Sequence, residues 1–175
     1  MTKFHSQNKQ LLTSARISTP LGPMIAIADE HALRLLEFLD FKNLEPRIKN
    51  LTQQTESTII EGKTAHLISI EHELDLYFKS CLKDFNTPIA PLGTPFQLNV
   101  WRTLRTIPFG TTASYADLAK HIGKPTAFRA VAQANGANQF PIIIPCHRII
   151  NANGKLGGYS SGLTRKQWLL DHEKE

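Results

Sequence analysis

Apolar positions follow two different rhythms along this 175-residue chain. In the first forty residues they come in short runs. Met24-Ile25-Ala26-Ile27-Ala28 and Leu33-Arg34-Leu35-Leu36-Glu37-Phe38 flank the polar Asp29-Glu30-His31, which predicts a β-hairpin. The stretch from Ser14 to Leu39 reads as strands, with Thr19-Pro20-Leu21-Gly22-Pro23 as a turn. Residues 1–13 are polar and read as a loose leader. Beyond residue 40 the rhythm changes to helical spacing. Leu44, Ile48 and Leu51 predict a short surface helix over 42–54. Leu67, Ile70, Leu74, Tyr77, Phe78 and Cys81 form one stripe and predict a helix over 65–82, with Cys81 as a small buried hydrophobe.

Asn86 to Gly93, with two prolines and a glycine, reads as a linker and places a domain boundary near residue 90. Thr94-Pro95-Phe96-Gln97 then opens a helix with a capping box and a proline at its first position. Phe96, Val100, Leu104 and Ile107 mark its buried face, and Pro108-Phe109-Gly110 ends it. Ser114 caps a second helix with Tyr115, Leu118, Ala119 and Ile122 inward, stopped by Gly123-Lys124-Pro125. Thr126 opens a third helix that Gly136 closes. Two short helices across a glycine turn fit a DNA-reading helix-turn-helix, and equally an αα-hairpin without a ligand. The β-branched run over 141–150 predicts an extended buried segment, interrupted by Pro145. A turn-rich loop over Asn151 to Gly158 precedes a last helix over Leu163 to His172, anchored by Trp168 and Leu169.

Charge changes the picture. Residues 1–90 hold 10 Lys and Arg against 11 Asp and Glu, a net −1, whereas residues 91–175 hold 10 against 4, a net +6. A basic half beside a neutral half suits a polyanionic partner for the basic half. No apolar run approaches the roughly 18 residues of a membrane helix, and the N-terminus lacks the apolar core of a signal peptide. The expectation is a cytoplasmic protein whose two cysteines, Cys81 and Cys146, are free thiols.

Cys146 stands beside His147, and a thiol becomes a nucleophile when a base or dipole favours its thiolate. The basic half has one Cys and three His, at 121, 147 and 172, with no CxxC pair, so no metal site is expected. A cysteine hydrolase using Cys146, His147 and Asn138 remains an alternative on residue types alone.

Ile144-Pro145-Cys146-His147-Arg148-Ile149-Ile150 resembles the active-site signature of the O6-alkylguanine-DNA alkyltransferases, the methylated-DNA–protein-cysteine methyltransferases of bacterial Ogt type. Thr94-Pro95-Phe96-Gln97, Val100-Trp101, Ile107-Pro108-Phe109-Gly110, Ser114-Tyr115 and Arg129-Ala130-Val131 follow the family order. So do Asn135-Gly136-Ala137-Asn138, Gly158-Tyr159-Ser160 and Trp168-Leu169-Leu170-Asp171-His172-Glu173. The likeness is close over residues 94–173 and loose over 14–90.

It implies an α/β fold: a small N-terminal β-sheet domain with helices (1–90), then a mainly helical domain (91–175) with the helix-turn-helix. It also implies a monomer acting on double-stranded DNA that contains O6-alkylguanine, without cofactor or membrane. The activity implied is irreversible, single-turnover transfer of the alkyl group to Cys146 after base flipping, with O4-alkylthymine as a possible second substrate. Cys146, His147, Glu173, Asn138 and Tyr115 are the implied catalytic set, with His147 as base through a water and Glu173 orienting it. Arg129 is the implied finger in the base stack, with Ser114, Thr126, Ala127, Ala130 and Gln133 contacting DNA. Tyr159, Ser160, Ile149 and Ser161 are the implied base pocket. A non-catalytic relative that only binds alkylated bases would lack the cysteine. The chain departs from the family at Phe128, where a small residue is common, at Gln139-Phe140 after Asn138, and at Ser161, where glycine is common. It has no counterparts to the N-terminal zinc ligands of some members, so no structural metal is expected.

Overall fold

The computed structural model describes residues 10–174. Most of the expected leader, residues 1–9, lies outside them, but Gln10–Thr13 are already sheet. Strand β1 (Gln10–Ile17) pairs antiparallel with β2 (Met24–Ala28), and β2 with β3 (Leu33–Phe38). A fourth strand, β4 (Ser57–Glu61), lies parallel to β1 and gives the order β3-β2-β1-β4. The near-continuous apolar runs of β2 and β3 have a simple cause: the sheet is covered on both faces. Ala26, Leu36 and Phe38 face α2 (Ala65–Phe78), whose Leu67, Ile70, Leu74 and Tyr77 join the main core. Ile27 and Leu35 point the other way, against Leu12 and Leu51 of α1 (Leu44–Gln54).

Helix α2 is shorter than its stripe suggested. It ends at Phe78, and Ser80 takes φ 58, turning the chain off the helix axis. Cys81 is therefore exposed rather than buried. The linker does not hang free. Leu33 donates to the carbonyl of Pro88 at 2.8 Å, Ala90 donates to the carbonyl of Leu33 at 2.9 Å, and Leu36 donates to that of Gln139 at 3.0 Å. Linker and second half together satisfy the outer edge of β3, where an open strand edge would invite foreign pairing.

The second half is mainly helical: α3 (Pro95–Leu104), α4 (Tyr115–His121), α5 (Phe128–Gly136) and α6 (Leu163–His172). Strands β5 (Ala113–Ser114) and β6 (Ile149–Ile150) form a short parallel pair. Both expected caps form: Thr94 with Gln97 on α3, and Ser114 with Asp117 on α4. Helix α5 begins two residues after Thr126, with Ala127 at its cap and no side-chain cap bond. Trp168 is 37% exposed, stacked on His172 at 4.8 Å; Leu169 and Leu170 are the buried anchors of α6. The main core draws on both halves, including Tyr77 from the first and Trp101, Cys146 and Leu169 from the second. Among the described residues no helix is long and apolar enough to cross a membrane.

Candidate active site

The run over 141–150 is buried as expected but not extended. Residues 141–144 turn, and Cys146–Arg148 form a single 3-10 turn. Ile142 takes φ 76, a strained conformation for a β-branched residue. The chain is held there by two bonds to Ile144: its amide donates to Phe140 at 2.9 Å, and its carbonyl accepts from the Asn138 side chain at 2.9 Å. This turn lifts Cys146 out of the strand that alternation alone would give it, and places it at the first position of a helical turn.

Sγ of Cys146 accepts a hydrogen bond from Asn138 Nδ2 at 3.1 Å. The residue is 2% exposed, and burial pushes its thiol up to about 11, partly offset by Asn138 and Lys166. A thiol in this setting is protonated at neutral pH, so attack requires a base at hand.

Behind the cysteine lies a charged network. Glu173 Oε1 accepts from His147 Nε2 at 2.8 Å, Tyr77 Oη at 2.8 Å and Arg148 Nη2 at 3.0 Å. Its Oε2 accepts from Arg148 Nε at 2.7 Å and the Gly110 amide at 3.3 Å. Burial opposes the charge on Glu173, but the bonds from His147 and Arg148 outweigh it and hold the carboxyl below its usual range. Burial pushes His147 down, so its ring is neutral. A carboxylate only accepts, so the ring keeps its proton on Nε2 and donates it to Glu173 in a hydrogen bond, which leaves Nδ1 as the bare, basic nitrogen. Among the described residues no hydrogen bond reaches that Nδ1.

Buried polar atoms are normally paired. Three buried side-chain atoms among the described residues have no partner: His147 Nδ1, Asn135 Oδ1 and Tyr159 Oη. All three belong to residues gathered around Cys146. Asn135 and Tyr159 line a pocket of about 450 Å³ that ends on Cys146, and His147 adjoins it in the chain. Tyr115, Phe128, Arg129, Ala132, Asn151, Gly158 and Ser160 also line the pocket. Burial and the nearby sulfur push the Tyr115 phenol above its ordinary value.

Of the residues singled out in sequence, Cys146, Tyr115, Tyr159, Ser160 and Arg129 meet at this pocket. Asn138, His147 and Glu173 stand behind its floor. Ile149 and Ser161 do not line it. Ile149 is core, with its carbonyl accepting from Lys166, and Ser161 turns its hydroxyl to Glu37 at 3.4 Å. Thr126, Ala130 and Gln133 are exposed with Arg129 around the first turns of α5, and Ala127 is half-buried. The Ser114 hydroxyl is engaged in its own cap, donating to Asp117 at 2.7 Å.

Four groups at the site had no distinguishing sequence signal. Lys166 is fully buried and donates to the carbonyls of Ile149 at 2.5 Å and Gly158 at 3.0 Å, tying the cysteine turn to the pocket loop. Burial brings its amine down to about 8. Buried Glu37 and half-buried Arg47 form an ion pair, and Tyr77 reaches Glu173 from α2. A charged residue without a motif reads as surface until the fold buries it.

The geometry has relatives. The family model for the DNA-binding domain of 6-O-methylguanine DNA methyltransferase matches residues 95–175. A methylated-DNA–protein-cysteine methyltransferase of Methanosarcina acetivorans is 40% identical over 91% of this chain and 96% of its own length. The Shigella flexneri protein of the same name is 41% identical over 93% and 95%. Among solved structures, the O6-methylguanine methyltransferase of Mycobacterium tuberculosis is 39% identical with a TM-score of 0.79, covering 93% of both chains. The same species' OGT in complex with DNA is 37% identical at TM-score 0.79, covering 94% of this chain and 92% of that one. Matched nearly end to end, with its one buried thiol at the foot of the pocket, the chain belongs to the methylated-DNA–protein-cysteine methyltransferase family.

Proposed function

We propose that this chain repairs DNA by moving the alkyl group of O6-alkylguanine onto Sγ of Cys146, once per molecule. The observation that carries the reading is the buried thiol at the end of the pocket, with a neutral histidine next to it in the chain. His147 Nδ1 takes the thiol proton through a bridging water, and Glu173 and Arg148 hold the ring. The S–C bond forms as the C–O6 bond breaks. Tyr115 hydrogen-bonds to the departing guanine, which takes a proton from water as it leaves, and His147 returns the thiol proton to water, so the net proton passes from thiol to guanine. The product is a thioether, which water does not readily cleave. The relatives' names, for methylated DNA and O6-methylguanine, support the substrate class.

The target atom lies inside a duplex, so the base must be flipped out, at a cost of a few kcal/mol. Arg129, exposed at the pocket rim, is the group we assign to the vacated stack. Thr126, Ala130 and Gln133 present the neighbouring face of α5 to DNA, and Ser114 and Ala127 approach the phosphates at the helix-turn-helix. The +6 charge of residues 91–175 favours this contact. We further propose that residues 1–90 and 91–175 are two domains, and that the protein acts as a cytoplasmic monomer.

The test is a duplex carrying one O6-methylguanine, with the Cys146 peptide followed by mass. The expected result is a stoichiometric methyl gain that Cys146→Ala abolishes. Binding without a mass change, or multiple turnover on an ester, would overturn the proposal. Arg129→Ala should slow duplex repair more than reaction with the free base O6-benzylguanine.

A further inference from the structure

We propose that Phe128 is a second, stacking wedge beside Arg129, whose ring covers the base face exposed when the alkylated nucleotide enters the pocket. The inference rests on the base-flipping reading above. Phe128 is the first residue of α5 and is 48% exposed. A single exposed phenylalanine is unremarkable in itself; its position carries the argument.

The side chain lines the mouth of the pocket that ends on Cys146. Ala132 and Asn135, four and seven residues on, continue along the same helix face, and Asn135 donates to the Cys146 carbonyl at 3.3 Å. Seven helical residues rise about 10 Å. The ring therefore sits about two helical turns from the Asn135 contact with Cys146, on the exposed side of the lining and away from the buried sulfur.

Its neighbour supports the same placement. The Arg129 guanidinium lies 5.9 Å from the Phe128 ring centroid, so cation and ring pack as one unit at the rim. The first turn of α5 holds no acidic residue and its cap makes no side-chain bond, so the surrounding surface does not repel phosphate. An aromatic face beside a cation suits an unpaired base, because every base offers a π-face. A small side chain at this position would offer none.

The experiment compares wild type, Phe128→Ala, Phe128→Leu and Phe128→Trp on two substrates: a duplex with one O6-methylguanine, and free O6-benzylguanine. The side chain is exposed, so all variants are expected to keep the wild-type melting temperature. Phe128→Ala is expected to lose about tenfold more in the duplex rate than on the free base, the size of one stacking contact. Phe128→Trp restores the duplex rate and Phe128→Leu does not. A duplex rate within twofold of wild type for Phe128→Ala overturns the wedge alone. Equal losses on both substrates make Phe128 a wall of the pocket instead and also overturn it. A wild-type chain that gains no methyl from the duplex overturns the repair reading and the wedge with it.

Discussion

Arg47 of α1 donates to the backbone carbonyl of Asn138 at 2.7 Å, and the Asn138 side chain donates onward to Sγ of Cys146 at 3.1 Å. The N-terminal half thus braces the residue that touches the reactive sulfur. Arg47 can do so because Glu37, fully buried, holds its guanidinium in place. Arg47→Leu removes the partner of that carboxyl and the brace on Asn138; at pH 7 the carboxyl, already raised by burial, takes a proton, so the expected loss is the missing hydrogen bonds, about 1–2 kcal/mol. Urea unfolding at pH 7 should show this loss, with slower alkylation of Cys146. Adding Glu37→Gln should recover part of the stability. Strict additivity of the two losses would show that the pair is not coupled.

Glu37 also makes a pH prediction. Burial raises its carboxyl to about 7, against the pull of Arg47. The folded chain then holds that proton more tightly than the unfolded chain, whose carboxyl titrates near its usual value. Glu37 therefore costs stability as pH rises between about 4.5 and 7, by roughly 3 kcal/mol. His147, pushed down from 6.5 by burial, acts in the opposite direction below that pH. The clean measurement is the difference between wild type and Glu37→Gln. That difference should grow in favour of the variant from pH 4.5 to 7, and a flat difference would refute the raised carboxyl.

Gly110→Ala tests the turn that closes the network. Gly110 takes φ +74, and a Cβ there would stand 2.6 Å from the Glu173 carbonyl oxygen. The left-handed backbone alone costs about 1 kcal/mol for a residue with a side chain, and a rigid backbone atom cannot yield cheaply. The expected loss exceeds about 2 kcal/mol, with slower reaction at Cys146, because the same turn presents its amide to Glu173. A variant as stable and reactive as wild type would mean that the two segments move apart freely.

What was legible in sequence follows physical range. The capping boxes at Thr94 and Ser114 are local chemistry and formed as read. Cys146, His147 and Glu173 were singled out through motif order; Cys146 lines the pocket, and His147 and Glu173 are bonded to each other behind it. Strand β4 was not read, because Ser57–Glu61 is short and pairs with β1 from more than forty residues away. The cysteine turn looked extended because nothing local announces a positive φ at Ile142. Lys166 looked like one more basic surface residue until α6 packed it against the carbonyls of Ile149 and Gly158. Ser161 looked like pocket because glycine is common there, yet its hydroxyl is drawn to Glu37, which only the fold brings near.

His147→Gln separates the base from the thiol. In wild type the neutral imidazole is the reactive form, so the rate with free O6-benzylguanine should fall only below about pH 6.5, as His147 takes a proton. Without that base the rate should follow the thiolate fraction of Cys146. Burial holds that thiol up at about 11, so the variant's rate should rise about tenfold per pH unit between 7 and 10. A pH-independent variant would show that the thiol loses its proton by another route.

Tyr77→Phe asks how far the network depends on a core phenol contributed by α2. Tyr77 is fully buried, its ring packs 5.5 Å from Phe85 and 6.1 Å from Phe109, and its hydroxyl donates to Glu173 at 2.8 Å. Phenylalanine keeps the packing and removes only the bond. A hydrogen bond to a buried charged group contributes about 2 kcal/mol, which is the expected loss at pH 7. The bond favours the ionised carboxylate, which the bonds from His147 and Arg148 hold below its usual range. A depressed carboxyl contributes stability above its unfolded value and loses it as pH falls towards its folded one. The gap between variant and wild type should therefore be widest above about pH 5 and narrow in acid, where Glu173 takes a proton in both. Arg148 still forks onto Glu173 in the variant, so His147 stays aligned and Cys146 should react at close to the wild-type rate. A stability gap of constant size from pH 7 into strong acid would mean that the hydroxyl contributes through packing and not through the charge it faces.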